Sequence, residues 1–209
     1  TAITLALILA SAYLYAYLFA KPMLSMGPSA LVLLIASVLT VLLCLLMGEY
    51  LNINAMPVAL GAMLVVNLLG ARPAYVTNMA LTLIITLLTA KGTGLVTSQT
   101  MSVLLTCSLG GLVAIWMMRK NTTRVMVVVS GLVVGTVNFG VLVCVHALTP
   151  SDMSGVWSDM AYAIGGAVVS AVLCVGLQPI LETAFTLVTP SKLIELSNPN
   201  QPLLRRLMI

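Results

Sequence analysis

The sequence from Val125 to Leu148 is VMVVVSGLVVGTVNFGVLVCVHAL, and it contains no Asp, Glu, Lys or Arg. An α-helix rises about 1.5 Å per residue, so about 20 apolar residues cross the ~30 Å hydrocarbon core of a bilayer. The stretch lacks the alternation of a barrel strand, and backbone groups in lipid must bond within their own segment. This stretch therefore predicts a membrane-spanning helix.

The whole chain has the same apolar character. Of its 209 residues, 61% are hydrophobic and 7% are charged, and its mean hydropathy is +1.16. Soluble domains carry about 25% charged residues, so this composition excludes an ordinary soluble enzyme, a disordered segment and a disulfide-stapled secreted module. We predict a lipid bilayer as the main partner. The net charge of +4 is explained by membrane topology, and we predict no nucleic-acid partner.

Charged residues divide the chain into seven uncharged runs, which we interpret as seven transmembrane helices. The predicted fold class is all-α: a polytopic helix bundle over residues 1–188, followed by a linker at 189–209. The predicted helices are residues 2–20, 29–48, 55–70, 73–90, 98–118, 123–147 and 159–181, the last with a cytoplasmic extension to 188. Because the loops between them are short, consecutive helices should pack as antiparallel neighbours.

The distribution of Lys and Arg sets the orientation. With the N-terminus outside, eight of the nine cations fall in cytoplasmic segments, and only Lys91 lies outside. Cytoplasmic loops are enriched in Lys and Arg, so we predict an external N-terminus and a cytoplasmic C-terminus. The chain opens at Thr1 inside an apolar run without a cleavable signal, so we expect it to be an internal piece of a longer protein.

Four amide side chains fall inside the predicted helices: Asn67, Asn78, Asn138 and Gln178. Such groups are costly in lipid; they act either as interhelical hydrogen-bonding contacts or as part of a functional site, and the sequence leaves both open. The single histidine, His146, and the four cysteines show no metal-ligand spacing. We predict no catalytic, metal or cofactor site in this chain.

The last predicted helix contains Pro179, followed one turn later by Glu182. A proline removes one helical hydrogen bond and should bend the helix near the inner leaflet. Two interpretations stay open: a kinked exit helix with a carboxylate at the headgroups, or a hinge that passes rearrangements to a following domain. Beyond it, Asn198-Pro199 and Gln201-Pro202 predict an extended turn.

The tail from Leu177 to Ile209, LQPILETAFTLVTPSKLIELSNPNQPLLRRLMI, resembles a known interdomain segment. It is similar to the connection between membrane and catalytic domains in the bacterial seven-transmembrane HD-hydrolase family, the PgpH-type cyclic di-AMP phosphodiesterases. The matching elements are Pro179-Ile180-Leu181-Glu182, Leu193-Ile194-Glu195-Leu196 and Asn198-Pro199-Asn200-Gln201-Pro202-Leu203-Leu204. Family members commonly have His where Gln201 stands.

The resemblance implies an extracellular domain before the bundle and a cytoplasmic HD domain after it. That HD domain would hydrolyse cyclic di-AMP to pApA with two divalent metal ions, iron or manganese, so no catalytic residue lies in this chain. The implied role is a sensor and anchor in the bacterial cytoplasmic (inner) membrane, with a homodimer as a further expectation. The proposed coupling residues are Pro179, Glu182, Glu195, Asn198, Pro199 and Pro202.

A different class of function also fits the composition. A polytopic transporter or channel for a small neutral solute or a lipid could build its pocket from Asn, Gln and Met side chains without ionised groups. Transporters commonly show interrupted helices in two related halves. We find no internal repeat in this sequence, so the sensor and anchor is the preferred interpretation.

Overall fold

The computed structural model describes residues 27–90, 97–120, 123–148 and 155–185. These ranges are helical and contain no strand, which confirms the predicted all-α fold for this part of the chain. The helices are α1 (Gly27–Tyr50), α2 (Leu60–Leu69), α3 (Ala71–Thr89), α4 (Ser98–Met118), α5 (Arg124–Leu148) and α6 (Val156–Ala184), with a 3-10 turn at Ile53–Ala55. The predicted first helix, 2–20, and the linker, 189–209, lie outside the described residues.

Five of these helices, α1 and α3 to α6, are long and apolar enough to cross a membrane. Their outward side chains are apolar: Leu31, Leu34, Leu132 and Val172 are each more than half exposed. A soluble protein rarely exposes so much contiguous apolar surface, whereas lipid requires it. The chain is a membrane protein.

Aromatic side chains mark the two ends of the bundle. Tyr50 and Trp157 are strongly exposed at one end, and Trp116 is exposed at the other. Trp and Tyr favour the two membrane–water interfaces, where an apolar ring can keep a polar group in water. Their positions at opposite ends of the helices therefore fit the two membrane–water interfaces.

Consecutive helices from α3 to α6 pack against one another as antiparallel neighbours. Gly131 allows the close approach between α5 and α6, because a Cβ atom there would lie 2.5 Å from the Cβ of Ala171, whereas one on Gly135 would make an ordinary contact, 3.5 Å from Ile164 Cγ2. Small residues at such positions let helix backbones approach in lipid.

The third predicted helix differs from the structure. The prediction was 55–70, but α2 covers only ten residues, or about 15 Å, roughly half the hydrocarbon core. The preceding segment is irregular, because Pro57 has no N–H to donate and the chain passes through a 3-10 turn. All ten residues of α2 are buried, in contact with α1, α3, α4 and α6. Irregular backbone at membrane depth is tolerated when protein surrounds it.

The starts of four other helices also differ from the predicted bounds, by one to three residues: α1 begins at 27 rather than 29, α3 at 71 rather than 73, α5 at 124 rather than 123 and α6 at 156 rather than 159. Gly70 alone separates α2 from α3 and has a φ of 94°, a conformation that favours glycine. Because α3 begins at Ala71, Pro73 lies in its first turn, where a missing N–H costs nothing. The last helix begins at Val156 rather than at 159, which puts Asp159 in its first turn, where a carboxylate is favourable.

Candidate functional site

The candidate site lies on α6 around Pro179, close to the C-terminal end of the helix. Because proline has no N–H, the carbonyl of Val175 lacks its usual helical donor. After the proline, the hydroxyl of Thr183 donates to the carbonyls of Pro179 at 2.9 Å and Ile180 at 3.0 Å. The proline is exposed, so the interruption lies on the outer side of the helix.

Three predicted residues form a hydrogen-bonded chain beside this proline. Asn67 on α2 donates from Nδ2 to Gln178 Oε1 at 3.2 Å, and Gln178 donates from Nε2 to Glu182 Oε1 at 2.8 Å. The two amides are almost fully buried, whereas Glu182 is half-buried. Hydrogen bonds to a carboxylate are stronger than hydrogen bonds between neutral groups, so the bond from Gln178 to Glu182 is the stronger of the two.

The same asparagine has a second, weaker contact and one atom without a partner. Its Nδ2 lies 3.6 Å from Cys174 Sγ, one turn before Gln178. Its Oδ1 is buried and accepts no hydrogen bond from any residue that the structure describes. A buried polar atom without a partner costs about 1–3 kcal/mol, so Asn67 sits in α2 at a cost to stability.

The position of Asn67 is set by the packing of α2 against α6. The two helices run parallel, with Asn67 beside Gln178 at one end and Ala55 beside Gly166 towards the other. A Cβ atom on Gly166 would lie 2.8 Å from the carbonyl oxygen of Ala55. The absence of a side chain at Gly166 therefore lets the irregular segment reach α6.

The other two predicted amides do not join this chain. Asn78 on α3 packs against Gly111 of α4 and donates from Nδ2 to the carbonyl of Ser108 at 3.4 Å. Asn138 on α5 faces Gly110, and its buried Oδ1 has no partner among the described residues. The four amides thus fall into a linked pair on α2 and α6 and two separate contacts with α4.

A second polar group lies at the opposite end of the bundle. Asp159 accepts a hydrogen bond from Asn52 Nδ2 at 3.1 Å, and its other oxygen lies 3.7 Å from His146 Nε2. His146 Nδ1 lies 2.9 Å from the carbonyl of Leu142. A carbonyl only accepts, so Nδ1 carries the proton there, and Nε2 can form an ion pair with Asp159 only when the ring is charged.

Sequence reasoning missed this second group. Asn52 and Asp159 are 107 residues apart, and no short-range pattern connects them. The only signal was an aspartate at the edge of an uncharged run. His146 also bonds locally, through the contact of its Nδ1 with the carbonyl of Leu142 one turn earlier.

Neither polar group can hold the metal ions that the family resemblance implies. Across residues 27–90, 97–120, 123–148 and 155–185, no three His, Cys, Asp or Glu side chains converge as metal ligands. The predicted coupling residues Glu195, Asn198, Pro199 and Pro202 lie outside the described residues. What the described site can do is mechanical: it joins the short helix α2 to the end of α6.

The fold and site describe a polytopic membrane domain, and comparison with known proteins identifies its class. The family model described as "7TM receptor with intracellular HD hydrolase" matches residues 1–189. The chain belongs to this family.

Two similar proteins share one name. The chain is 28% identical over 187 residues to the cyclic-di-AMP phosphodiesterase PgpH of Bacillus subtilis, covering 84% of this chain and 26% of that protein. It is 35% identical over 103 residues to the PgpH of Listeria monocytogenes, covering 48% and 14%. The chain thus spans about a quarter of the Bacillus protein. No solved structure matches this chain.

Proposed function

We propose that this chain is the membrane-spanning sensor and anchor domain of a cyclic di-AMP phosphodiesterase in the bacterial cytoplasmic membrane. The family match and the names of both relatives support the class. In this proposal an HD domain follows the chain in the cytoplasm, and its two divalent metal ions, iron or manganese, supply the hydrolysis of cyclic di-AMP to pApA. The contribution of the present chain is to hold that domain at the membrane and to change its activity.

The proposed topology has seven spans, an external N-terminus and a cytoplasmic C-terminus. In support, Arg72, Arg119, Lys120 and Arg124 are all exposed where α3 and α5 begin and α4 ends. Glu49 and Asp159 lie at the opposite end of the bundle. The positive-inside rule assigns the basic end to the cytoplasm, and α6 ends there. In this topology α2 and the irregular segment before it together form the third span.

The observation that carries the regulatory part of the proposal is the hydrogen-bond chain from Asn67 through Gln178 to Glu182. It connects the buried helix α2 to the last two turns of α6, on either side of Pro179. A displacement of α2 therefore changes the bonding of Gln178 and the end of the helix that leads to the cytoplasm. Hydrogen-bond networks of this kind can couple two arrangements of packed helices.

The test replaces Gln178, the middle residue of this hydrogen-bond chain, in the full-length protein. Gln178→Met keeps the length of the side chain and removes both of its hydrogen bonds. We expect cyclic di-AMP turnover in membranes to change about fivefold or more, because coupling between sites is typically worth about 1–3 kcal/mol. The measurement is the rate of pApA release at equal amounts of inserted protein.

The matched control is Asn138→Leu, which also replaces a buried intramembrane amide by an apolar side chain of similar size. Among the described residues, Asn138 forms no hydrogen bond with α2 or Glu182. The cyclic di-AMP turnover of Asn138→Leu should therefore stay near wild type. Equal turnover by wild type and Gln178→Met, or equal changes in both variants, would contradict the regulatory role. Solute flux through liposomes carrying the full-length protein would favour a transporter.

A further inference from the structure

Three polar side chains from three separate elements meet at the end of the bundle that carries Tyr50 and Trp157. His146 lies near the C-terminal end of α5, Asp159 is in the first turn of α6, and Asn52 caps the 3-10 turn. His146 Nε2 lies 3.7 Å from Asp159 Oδ2, and Asn52 Nδ2 lies 3.1 Å from Asp159 Oδ1. These three residues form the His146 cluster.

Both ring nitrogens of His146 face hydrogen-bond acceptors. Nδ1 lies 2.9 Å from the carbonyl oxygen of Leu142, and Nε2 faces the carboxylate of Asp159. A neutral imidazole carries one N–H, so each of its tautomers leaves a bare nitrogen lone pair against an acceptor, whereas the imidazolium ion donates from both nitrogens. Protonation of the ring therefore changes its contact with Asp159 from unfavourable to attractive.

The carboxylate of Asp159 is held on its other side by the segment before α2. Asn52 Oδ1 accepts from the backbone N–H of Asn54 at 3.0 Å, which orients the amide so that its Nδ2 donates to Asp159. This connection between α6 and the segment before α2 does not involve the imidazole. The contact that depends on the charge of His146 is therefore the one between α5 and α6.

The cluster lies where water can supply a proton. The side chains of His146 and Asp159 are 21% and 28% exposed. Partial burial reduces the screening of an ion pair by salt, and the remaining exposure leaves the ring in contact with the aqueous phase. Histidine is the side chain whose charge ordinarily changes between about pH 5 and pH 8.

The described elements around the ring supply one charged partner. The helix α4, which packs against α5, contains no Asp, Glu, Lys, Arg, His or Tyr. On α6, Tyr162 lies one turn after Asp159, and a tyrosine hydroxyl ordinarily stays neutral in this pH range. Glu49 ends α1, which packs against the 3-10 turn, α2 and α3. Lys91 and Asp152, in the connections at this end, lie outside the described residues. Among the described groups, Asp159 therefore determines the sign of the effect.

We propose that the His146 cluster is a proton-operated contact, in which acidification charges the ring and joins the end of α5 to the start of α6. The contact is present at about pH 5.5 and is lost as the pH rises to about 8, because the ring then loses its charge. In the proposed topology this end faces outside, so the cluster responds to external pH. The contact itself requires neither that topology nor the regulatory role of the hydrogen-bond chain at Pro179.

The test is hydrogen–deuterium exchange of the full-length protein in nanodiscs, followed by mass spectrometry at about pH 5.5 and about pH 8. Each variant is compared with wild type at the same pH, so the intrinsic pH dependence of amide exchange cancels. We expect His146→Phe to accelerate exchange in peptides from the end of α5 and the start of α6. The acceleration should be about two- to fivefold greater at the lower pH, because a partly exposed ion pair shifts a local opening equilibrium by about that factor.

Asp159→Asn should show the same pH-dependent acceleration, because it removes the charge but keeps an oxygen that can accept from Asn52. The matched control is Glu49→Gln, which removes an exposed carboxylate at the same end of the bundle and should match wild type at both pH values. Equal acceleration by His146→Phe at the two pH values overturns the proposal, as does wild-type pH dependence in Asp159→Asn. A pH-dependent acceleration of the same size in Glu49→Gln also overturns it, since the effect then belongs to surface charge in general.

Discussion

At the scale of single residues, two adjacent glycines of α6 have opposite surroundings. A Cβ atom on Gly166 would lie 2.8 Å from the carbonyl oxygen of Ala55 and 2.9 Å from that of Met56. At Gly165 nothing lies within 4 Å of the same position. A side chain at Gly166 would collide with the backbone of the irregular segment. Gly165 lies on the lipid-facing side of α6, where a side chain has room.

We predict that Gly166→Ala lowers the free energy of unfolding by about 1–3 kcal/mol, because backbone atoms cannot rotate away as a side chain can. Gly165→Ala should be neutral or slightly stabilising, since alanine is the better helix former by about 1 kcal/mol. The measurement is the apparent melting temperature of the purified protein, followed by fluorescence-detected size exclusion. Identical melting temperatures for the two variants would refute the packing argument.

At the scale of elements, α6 is longer than a bilayer requires. Its 29 residues correspond to about 44 Å, against a hydrocarbon core of about 30 Å. Pro179 lies in the last two turns of this helix, five residues before its end at Ala184. The hydrogen bond that Pro179 removes is the physical basis of the hinge in the proposed function.

We predict that Pro179→Ala inserts normally but changes phosphodiesterase turnover about fivefold or more, because the restored hydrogen bond stiffens the exit of α6. Turnover of the full-length protein in membranes is the measurement. The control is Pro73→Ala, since Pro73 lies in the first turn of α3 and no hydrogen bond is gained there. Wild-type turnover in Pro179→Ala would exclude the hinge.

At the scale of the whole molecule, the charged residues and the exposed aromatic residues both distinguish the same two ends of the bundle. Among the described residues, the exposed cations lie at one end with Trp116, and Glu49 and Asp159 lie at the other with Tyr50 and Trp157. This separation is what the positive-inside rule describes. The proposed homodimer stays a prediction at this scale.

We predict that a cysteine replacing Glu49 reacts with a membrane-impermeant maleimide in intact cells, whereas one replacing Lys120 reacts only after permeabilisation. Both positions are exposed, so access to reagent is limited only by the membrane. The background protein should lack Cys144, which is exposed, so that the introduced thiols account for the signal. Labelling of Lys120→Cys from outside would reverse the proposed orientation.

Local sequence patterns predicted some features of the structure and not others. Uncharged apolar runs indicate helices, and the predicted helix 98–118 and α4 share both bounds. The run from Leu51 to Ala71 is also uncharged, so hydropathy did not show that its first part is irregular. The link between Asn67 and Gln178 joins residues 111 positions apart. Composition marked both amides as candidates, but only tertiary packing determines which amides meet.

The irregular segment before α2 also constrains how the protein can be made. Asn52 and its partner Asp159 are 107 residues apart, so the ribosome completes one long before the other. Until α6 arrives, the segment before α2 has neither Gly166 nor Asp159 to cover it, and bare peptide groups are excluded from hydrocarbon. We therefore expect that biogenesis of this domain does not proceed by releasing one finished helix after another into the bilayer, because the segment before α2 gains its contacts with Gly166 and Asp159 only when α6 is present.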